Sequence, residues 1–254
     1  MDHKTVDFIS DPSLFSKKEN LYLEVRRKEG RVLDDDFVVN LPDVSLSSPY
    51  AKEWRWRKRS FLSLLQYLQA QQHGALRILD LGCGNGWMSN RLAENPKWDV
   101  TAVDLNKEEL EQGARLFGRE KLRFLYADIL GKECQNLEAV GKFQVIILAA
   151  SVQYFLNMEE LIVCLSSLLS DNGEIHCIDS HFYPDKTAAA AAKQRTLDYY
   201  TGIGAPEMAA YYHHHLWPDI QRLGGKNLNV GIWTKLKQKA GYLANFPWIR
   251  LRKP

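Results

Sequence analysis

Residues 78–86 constrain this chain more than any other stretch: an apolar run ends in an acid, Asp80, and passes after Leu81 into three glycines at alternate positions, Gly82, Gly84 and Gly86. Leu76, Ile78, Leu79 and Leu81 suit a strand covered on both faces, as strands of parallel sheets are. Glycines placed directly after such a strand allow a tight turn and a close approach of backbone to ligand, because they carry no Cβ. A helix begun there presents unpaired backbone N–H groups at its start. Strand, glycine loop and helix together point to a nucleotide-type cofactor at the carboxyl edge of a sheet.

The spacing narrows the choice. The dinucleotide fingerprint Gly-x-Gly-x-x-Gly would need glycine where Trp87 stands, and no stretch matches the P-loop. A carboxylate at Asp80 repels a pyrophosphate and attracts an ammonium group. The next apolar run, 98–104, ends in Asp104, 24 residues after Asp80. An acid at the tip of a second strand can accept hydrogen bonds from both hydroxyls of a ribose. A third run, 122–127, ends in Asp128 and Ile129, where a carboxylate can accept from an exocyclic amine.

On these residues, Asp80-Leu-Gly-Cys-Gly-Asn-Gly86, Asp104 and Ala127-Asp128-Ile129 in that order, the chain resembles the class I S-adenosylmethionine-dependent methyltransferases over residues 76–180. The resemblance implies an α/β fold, a three-layer Rossmann-like sandwich with a mostly parallel central sheet and helical cap elements. It implies S-adenosylmethionine as cofactor, S-adenosylhomocysteine as product, and no metal. It places the glycine loop, with Gly82, the small Cys83, Gly84 and Gly86, against the methionine part, and Asp80 at its amino end. It gives Asp104 the ribose, Leu105 a face of the adenine, Asp128 and Ile129 the adenine edge, and Ala149 a place at the cofactor.

The rest of the chain fits one large domain. Its 254 residues are 45% hydrophobic with a net charge of +2, too small to make nucleic acid the expected partner. The four cysteines, Cys83, Cys134, Cys164 and Cys177, show no zinc spacing. The start shows no apolar leader, and the longest apolar run, 145–152, is far short of the roughly 20 residues that span a bilayer. A soluble, cytoplasmic protein with a small-molecule partner is expected; oligomeric state is left open.

From residue 76 onward strands and helices alternate, which predicts a parallel sheet with helices on both faces. Helices are predicted over 86–93, 107–117 and 158–169, and strands over 77–81, 98–104, 122–127, 143–149 and 174–180. Asn106 and Asn157 read as caps, and the alanines 188–192 as helix. A further helix is predicted over 232–240 and a last strand over 246–252. Residues 1–72 read as a cap or substrate region and 73–254 as the core, with a helical lid inserted at 183–226. Specificity is expected in the two flanking regions.

In the family resembled, the end of the fourth strand faces the transferred methyl group, which makes Ser151, Gln153 and Tyr154 the expected pocket residues. His181, after the fifth strand, is a candidate general base beside Tyr183. Tyr154 is the second catalytic candidate, and Tyr183 and His213 are further substrate candidates. The run His213, His214 and His215 is not expected to hold a metal, because adjacent residues point apart and no fourth ligand is evident. The segment 52–59 mixes Trp54 and Trp56 with basic residues. It reads as a cap helix, with a nucleic-acid stacking surface as the rival. Tyr22, Arg26 and Arg27 read as cap residues, an arginine being available for an acidic substrate group. An RNA or protein acceptor, and a cofactor-binding protein without turnover, remain alternatives.

Overall fold

The predicted alternation closes into a single eight-stranded sheet in the computed structural model, which describes residues 4–71, 74–131, 141–230 and 246–253. The strands are β1 (Val6–Phe8), β2 (Leu76–Leu81), β3 (Trp98–Asp104), β4 (Leu122–Tyr126), β5 (Phe143–Ala149), β6 (Leu169–Ile178), β7 (Lys226–Asn227) and β8 (Ile249–Arg252). The α-helices are α1 (Ser16–Lys28), α2 (Asp35–Asn40), α3 (Ala51–Gln71), α4 (Trp87–Leu92), α5 (Lys107–Phe117), α6 (Met158–Leu168), α7 (Lys186–Gly202) and α8 (Trp217–Arg222).

The strand order is β1-β4-β3-β2-β5-β6-β8-β7, with β1 to β6 parallel and β8 antiparallel to both its neighbours. The chain leaves β2 in one direction, to β3 and β4, and returns to its other side with β5 and β6. The reversal opens a crevice at the carboxyl ends of β2 and β5, the place where open α/β sheets bind ligands.

Strand alternation builds two cores. Ile78, Val100 and Ala102 face one layer with Leu64 and Leu68 of α3, Leu92 of α4 and Leu110 of α5. Leu79, Val103 and Ile146 face the other with Leu161, Leu165 and Leu168 of α6. The predicted caps form: Asn106 accepts from Glu109 N, and Asn157 from Glu159 N and Glu160 N. Asp185 accepts from Ala188 N and starts the alanine-rich α7.

Three features differ from the expected layout. β1, within the segment read as a cap, joins the sheet edge beside β4. The break expected at 170–173 is part of β6: fully buried Leu169 already pairs with Phe143, and a register irregularity with Asn172 at φ 63° absorbs the turn residues. β6 ends at Ile178 instead of Ser180, because Asp179 turns left-handed at φ 55°. Cys134 and the helix expected over 232–240 lie outside the described residues. Among the described residues no helix is long and apolar enough to cross a membrane.

Candidate functional site

The carboxyl ends of β2 to β5 open into a cavity of ≈ 300 Å³, within the range of small-molecule sites, about 300–1,000 Å³. Asp80, Gly82, Cys83, Gly84, Asp104, Leu105, Asp128, Ile129, Ala149 and Ser151 all line it. Gly86 does not: it precedes α4 at φ 70°, and its α-carbon lies so close to Phe124 that a Cβ would come within 2.4 Å of the ring. Gly86 therefore lets α4 settle on the sheet, while Gly82 and Gly84 face the cavity.

Loops and helices around the strand ends supply the donors that hold each acid. Asp104 accepts from Gly84 N (2.8 Å) through Oδ2, and from Leu105 N (2.7 Å) and Asn106 N (2.8 Å) through Oδ1. Burial raises its pKa while these three bonds and Lys18 pull it down. Asp80, almost wholly buried, accepts from the Ser89 hydroxyl at 2.6 Å, and burial pushes its carboxyl up to about 6. Asp128 accepts from Leu130 N at 3.2 Å, and its own N–H donates to the buried hydroxyl of Ser10 at 2.9 Å. Ser10 follows β1, so the added edge strand fixes the loop after β4.

The Cys83 thiol is pushed well up by burial and by Asp104, which leaves it a small neutral wall. The Ser151 hydroxyl donates to Leu81 O at 2.8 Å, and a Cβ on Gly82 would stand 2.4 Å from the Ser151 Cβ. Ser151 thus clasps the β2 and β5 ends together, with its hydroxyl already engaged.

α1 lies over this cavity. Glu19 accepts from Lys107 N at the start of α5 (2.6 Å), and Lys18, Tyr22 and Arg26 face inward. A second chamber of ≈ 590 Å³ adjoins the first. Tyr22, Arg26, Ala150 and Tyr154 line both, so the two meet there. Tyr154 packs edge-on against Tyr22 at 5.8 Å and Tyr212 at 6.1 Å. Burial raises the pKa of Tyr154, so its phenol stays protonated and can donate.

The candidates read from the sequence divide between the two chambers. Gln153, Tyr154, His181 and Tyr183 line the second. His181 is on its exposed side, edge-on to Phe246 at 4.7 Å, and partial burial with Arg195 nearby lowers its pKa. The side-chain amide of Gln153 donates to Ala150 O. His213 lines neither chamber; its backbone N–H donates to Gln153 O at 2.7 Å. The neighbouring rings diverge, His214 to Thr196 and His215 to Val152 O. Arg26 faces both chambers, whereas Arg27 is exposed and pairs with Glu108. Trp54 is buried edge-on against Trp87 at 5.5 Å, which removes it as a stacking surface.

Sequence reasoning missed several lining groups. Asp179, at the end of β6, accepts from Ser60 on α3, and burial pushes it up to about 6. It is an acid at a strand end, the signal that marked Asp104 and Asp128. Ala150 and Asp179, at adjacent strand ends, are both left-handed without being glycine, a strain that clusters at functional sites. Glu109, bonded by Asn106 Nδ2 at 3.0 Å, is pushed up to about 7 by burial. Glu53 and Arg57 reach the cavity from α3, within the segment 52–59 read as a cap helix, though neither is singled out there.

The model of a methyltransferase domain family matches residues 72–241. An uncharacterized methyltransferase of Mycobacterium bovis is 28% identical over 102 residues, 40% of this chain and 49% of that protein. A malonyl-[acyl-carrier protein] O-methyltransferase of Halalkalibacterium halodurans is 31% identical over 110 residues, 42% of this chain and 40% of that one. The chain thus spans half or less of the length of these curated relatives. Among solved structures, the magnesium protoporphyrin IX methyltransferase of Synechocystis, with S-adenosylhomocysteine bound, superposes with a TM-score of 0.56 at 16% identity. That superposition covers 92% of this chain and 94% of that one; at such identity the likeness is one of fold.

Proposed function

Since the chain belongs to the methyltransferase domain family whose model spans residues 72–241, we propose that it transfers a methyl group from S-adenosylmethionine to a small-molecule acceptor. The observation that carries this reading is the pairing of two chambers. The glycine loop, Asp104 and Asp128 line the first, and a second, polar chamber meets it at Tyr22 and Tyr154.

The donor set suits the cofactor. Asp104 offers carboxylate oxygens, already fixed by three backbone N–H groups, to two ribose hydroxyls. Asp128 and the Ile129 backbone accept and donate at an adenine edge, with Leu105 and Ile129 as apolar walls. Asp80 supplies negative charge toward an ammonium. When bound, S-adenosylmethionine supplies a sulfonium-activated methyl carbon open to in-line displacement. The chain's own task is alignment and exclusion of water. Tyr22, Tyr154 and Ala150 narrow the junction through which an acceptor must reach.

His181, neutral near pH 7, is positioned in the second chamber to take a proton from a hydroxyl acceptor. Tyr154 acts there as a donor and a wall. An amine with a free lone pair would need no base. Residues 1–72 and 183–226 contribute α1, α3 and α7 to the cover over both chambers. Trp54 in the core favours a small acceptor over a nucleic acid.

The test is calorimetric titration with S-adenosylhomocysteine, followed by incubation with methyl-labelled S-adenosylmethionine and a size-fractionated extract. Micromolar binding, weakened in Asp104→Ala, with label in the small-molecule fraction is expected. No binding, or label confined to protein or RNA, overturns the reading.

A further inference from the structure

The second chamber carries more positive charge than its walls neutralise. Arg26, Arg31, Arg57 and Arg195 line it against one carboxylate, Glu29. Glu53, which lines the first cavity, takes up Arg31 (2.7 Å) and Arg57 (2.9 Å). Glu29 reaches Arg26 only at 3.5 Å and Arg31 only at 3.6 Å. Among the described residues Arg195, on the exposed face of α7, has no ion pair or hydrogen bond. One carboxylate thus lines the chamber with four guanidinium groups; Glu109 and Asp179 act on Arg26 and Arg57 from the first cavity.

The remaining titratable walls add donors and no negative charge. Burial raises the pKa of Tyr22, Tyr154, Tyr183, Tyr199, Tyr200 and Tyr212, so they present O–H groups. His181 is neutral near pH 7. The Arg26 side chain is only 22% exposed, and its Nε donates to Tyr22 Oη at 2.8 Å, which fixes the guanidinium plane. A half-buried cation whose nearest carboxylate stands as far as 3.5 Å gains from a closer counter-charge. Guanidinium groups in a fixed plane match the two-oxygen edge of a carboxylate or phosphate.

We infer that the second chamber binds an oxyanion, the carboxylate or phosphate of the methyl acceptor, between Arg26 and Arg195. The word acceptor rests on the methyl-transfer reading; the anion site does not. The anionic group anchors one end of the molecule while another group faces the Tyr22–Tyr154 junction. Arg26 also lines the first cavity and could meet the cofactor's own carboxylate there. Arg195 lines only the second chamber, and so separates the two ligands.

The experiment titrates the full chain with inorganic phosphate and, separately, with succinate, at low salt, with and without saturating S-adenosylhomocysteine. Wild type is expected to bind one of them saturably, the preferred probe telling phosphate from carboxylate chemistry. Arg195→Gln, on an exposed helix face, is expected to weaken that binding at least tenfold and to leave S-adenosylhomocysteine affinity within threefold. Arg26→Gln should weaken the anion as strongly, and added salt should weaken it in wild type. Wild type binding neither probe, or both variants binding as wild type does, overturns the inference. Failure of S-adenosylhomocysteine to bind wild type would instead overturn the methyl-transfer reading, and the titration without it would still decide the anion site.

Discussion

Asp104 accepts the backbone N–H of Gly84 at 2.8 Å, so the carboxylate at the end of β3 holds the glycine loop that follows β2. Its other oxygen takes Leu105 N and Asn106 N, which fixes the carboxylate plane at the cavity wall. One group therefore shapes the loop and presents acceptors to a ligand. Hydrogen bonds to charged groups are worth about 1.5–3 kcal/mol, roughly ten- to 150-fold in affinity. Asp104→Ala is expected to weaken S-adenosylhomocysteine by at least that range, and Asp104→Asn, which keeps one acceptor, by less. Calorimetric titration of both variants checks the order.

Gly82→Ala should be costly in stability as well as binding. Gly82 sits at φ 75°, and a Cβ there would stand 2.4 Å from the Ser151 Cβ. Left-handed strain alone costs about 1–3 kcal/mol, and the clash pushes the β2 and β5 ends apart. We expect a Tm lower by several degrees and loss of cofactor binding. Gly202→Ala, where a Cβ meets nothing within 4 Å, is the control and should hold or raise Tm in thermal melts.

Ser10→Ala removes the acceptor for Asp128 N–H. Leaving a buried donor unpaired costs about 1–3 kcal/mol, and the strain falls on the Asp128 loop at the wall of the first cavity. The KM for S-adenosylmethionine is expected to rise about fivefold or more, with kcat nearly unchanged. A fall in kcat at constant KM would place Ser10 elsewhere in the mechanism.

Glu109 gives the protein a pH-dependent stability. Burial raises its pKa from 4.5 to about 7. Below pH 4.5 both folded and unfolded chains hold the proton. As pH rises, the unfolded chain releases it first, so stability falls across pH 4.5 to 7 and stays lower above. The loss is on the order of 3 kcal/mol at about 1.36 kcal/mol per unit. Glu109→Gln, which can still accept from Asn106, should match wild type near pH 4.5 and exceed it at pH 8 in thermal melts across that range.

His181→Ala distinguishes the acceptor chemistry. With a hydroxyl acceptor, loss of a general base should lower kcat by about 10²–10⁴-fold and remove the acid limb of the pH–rate profile. With an amine acceptor, kcat should change little. Tyr154→Phe should raise the KM of the acceptor in either case, since the phenol lines the junction.

The sheet and the strand-end groups that line the first cavity are legible in the chain alone. Buried parallel strands are continuous apolar runs, their ends carry the acids, and the glycine spacing follows directly after β2. All of these signals are local, so Asp80, Gly82, Gly84, Asp104 and Asp128 were legible one by one. Asp179 followed the same rule and could have been found by it. Which flank lies where is set by contacts between distant segments. β1 pairs with β4 and puts Ser10 under Asp128, 118 residues away in sequence. Gly86 faces Phe124 instead of the cavity, and Ser151 turns its hydroxyl to Leu81 O. His213 points away while Gln153, His181 and Arg195 converge on one chamber. These choices depend on which helix faces pack together across the carboxyl edge of the sheet. Burial and charge balance among residues far apart in the chain set that packing, and no local pattern encodes it.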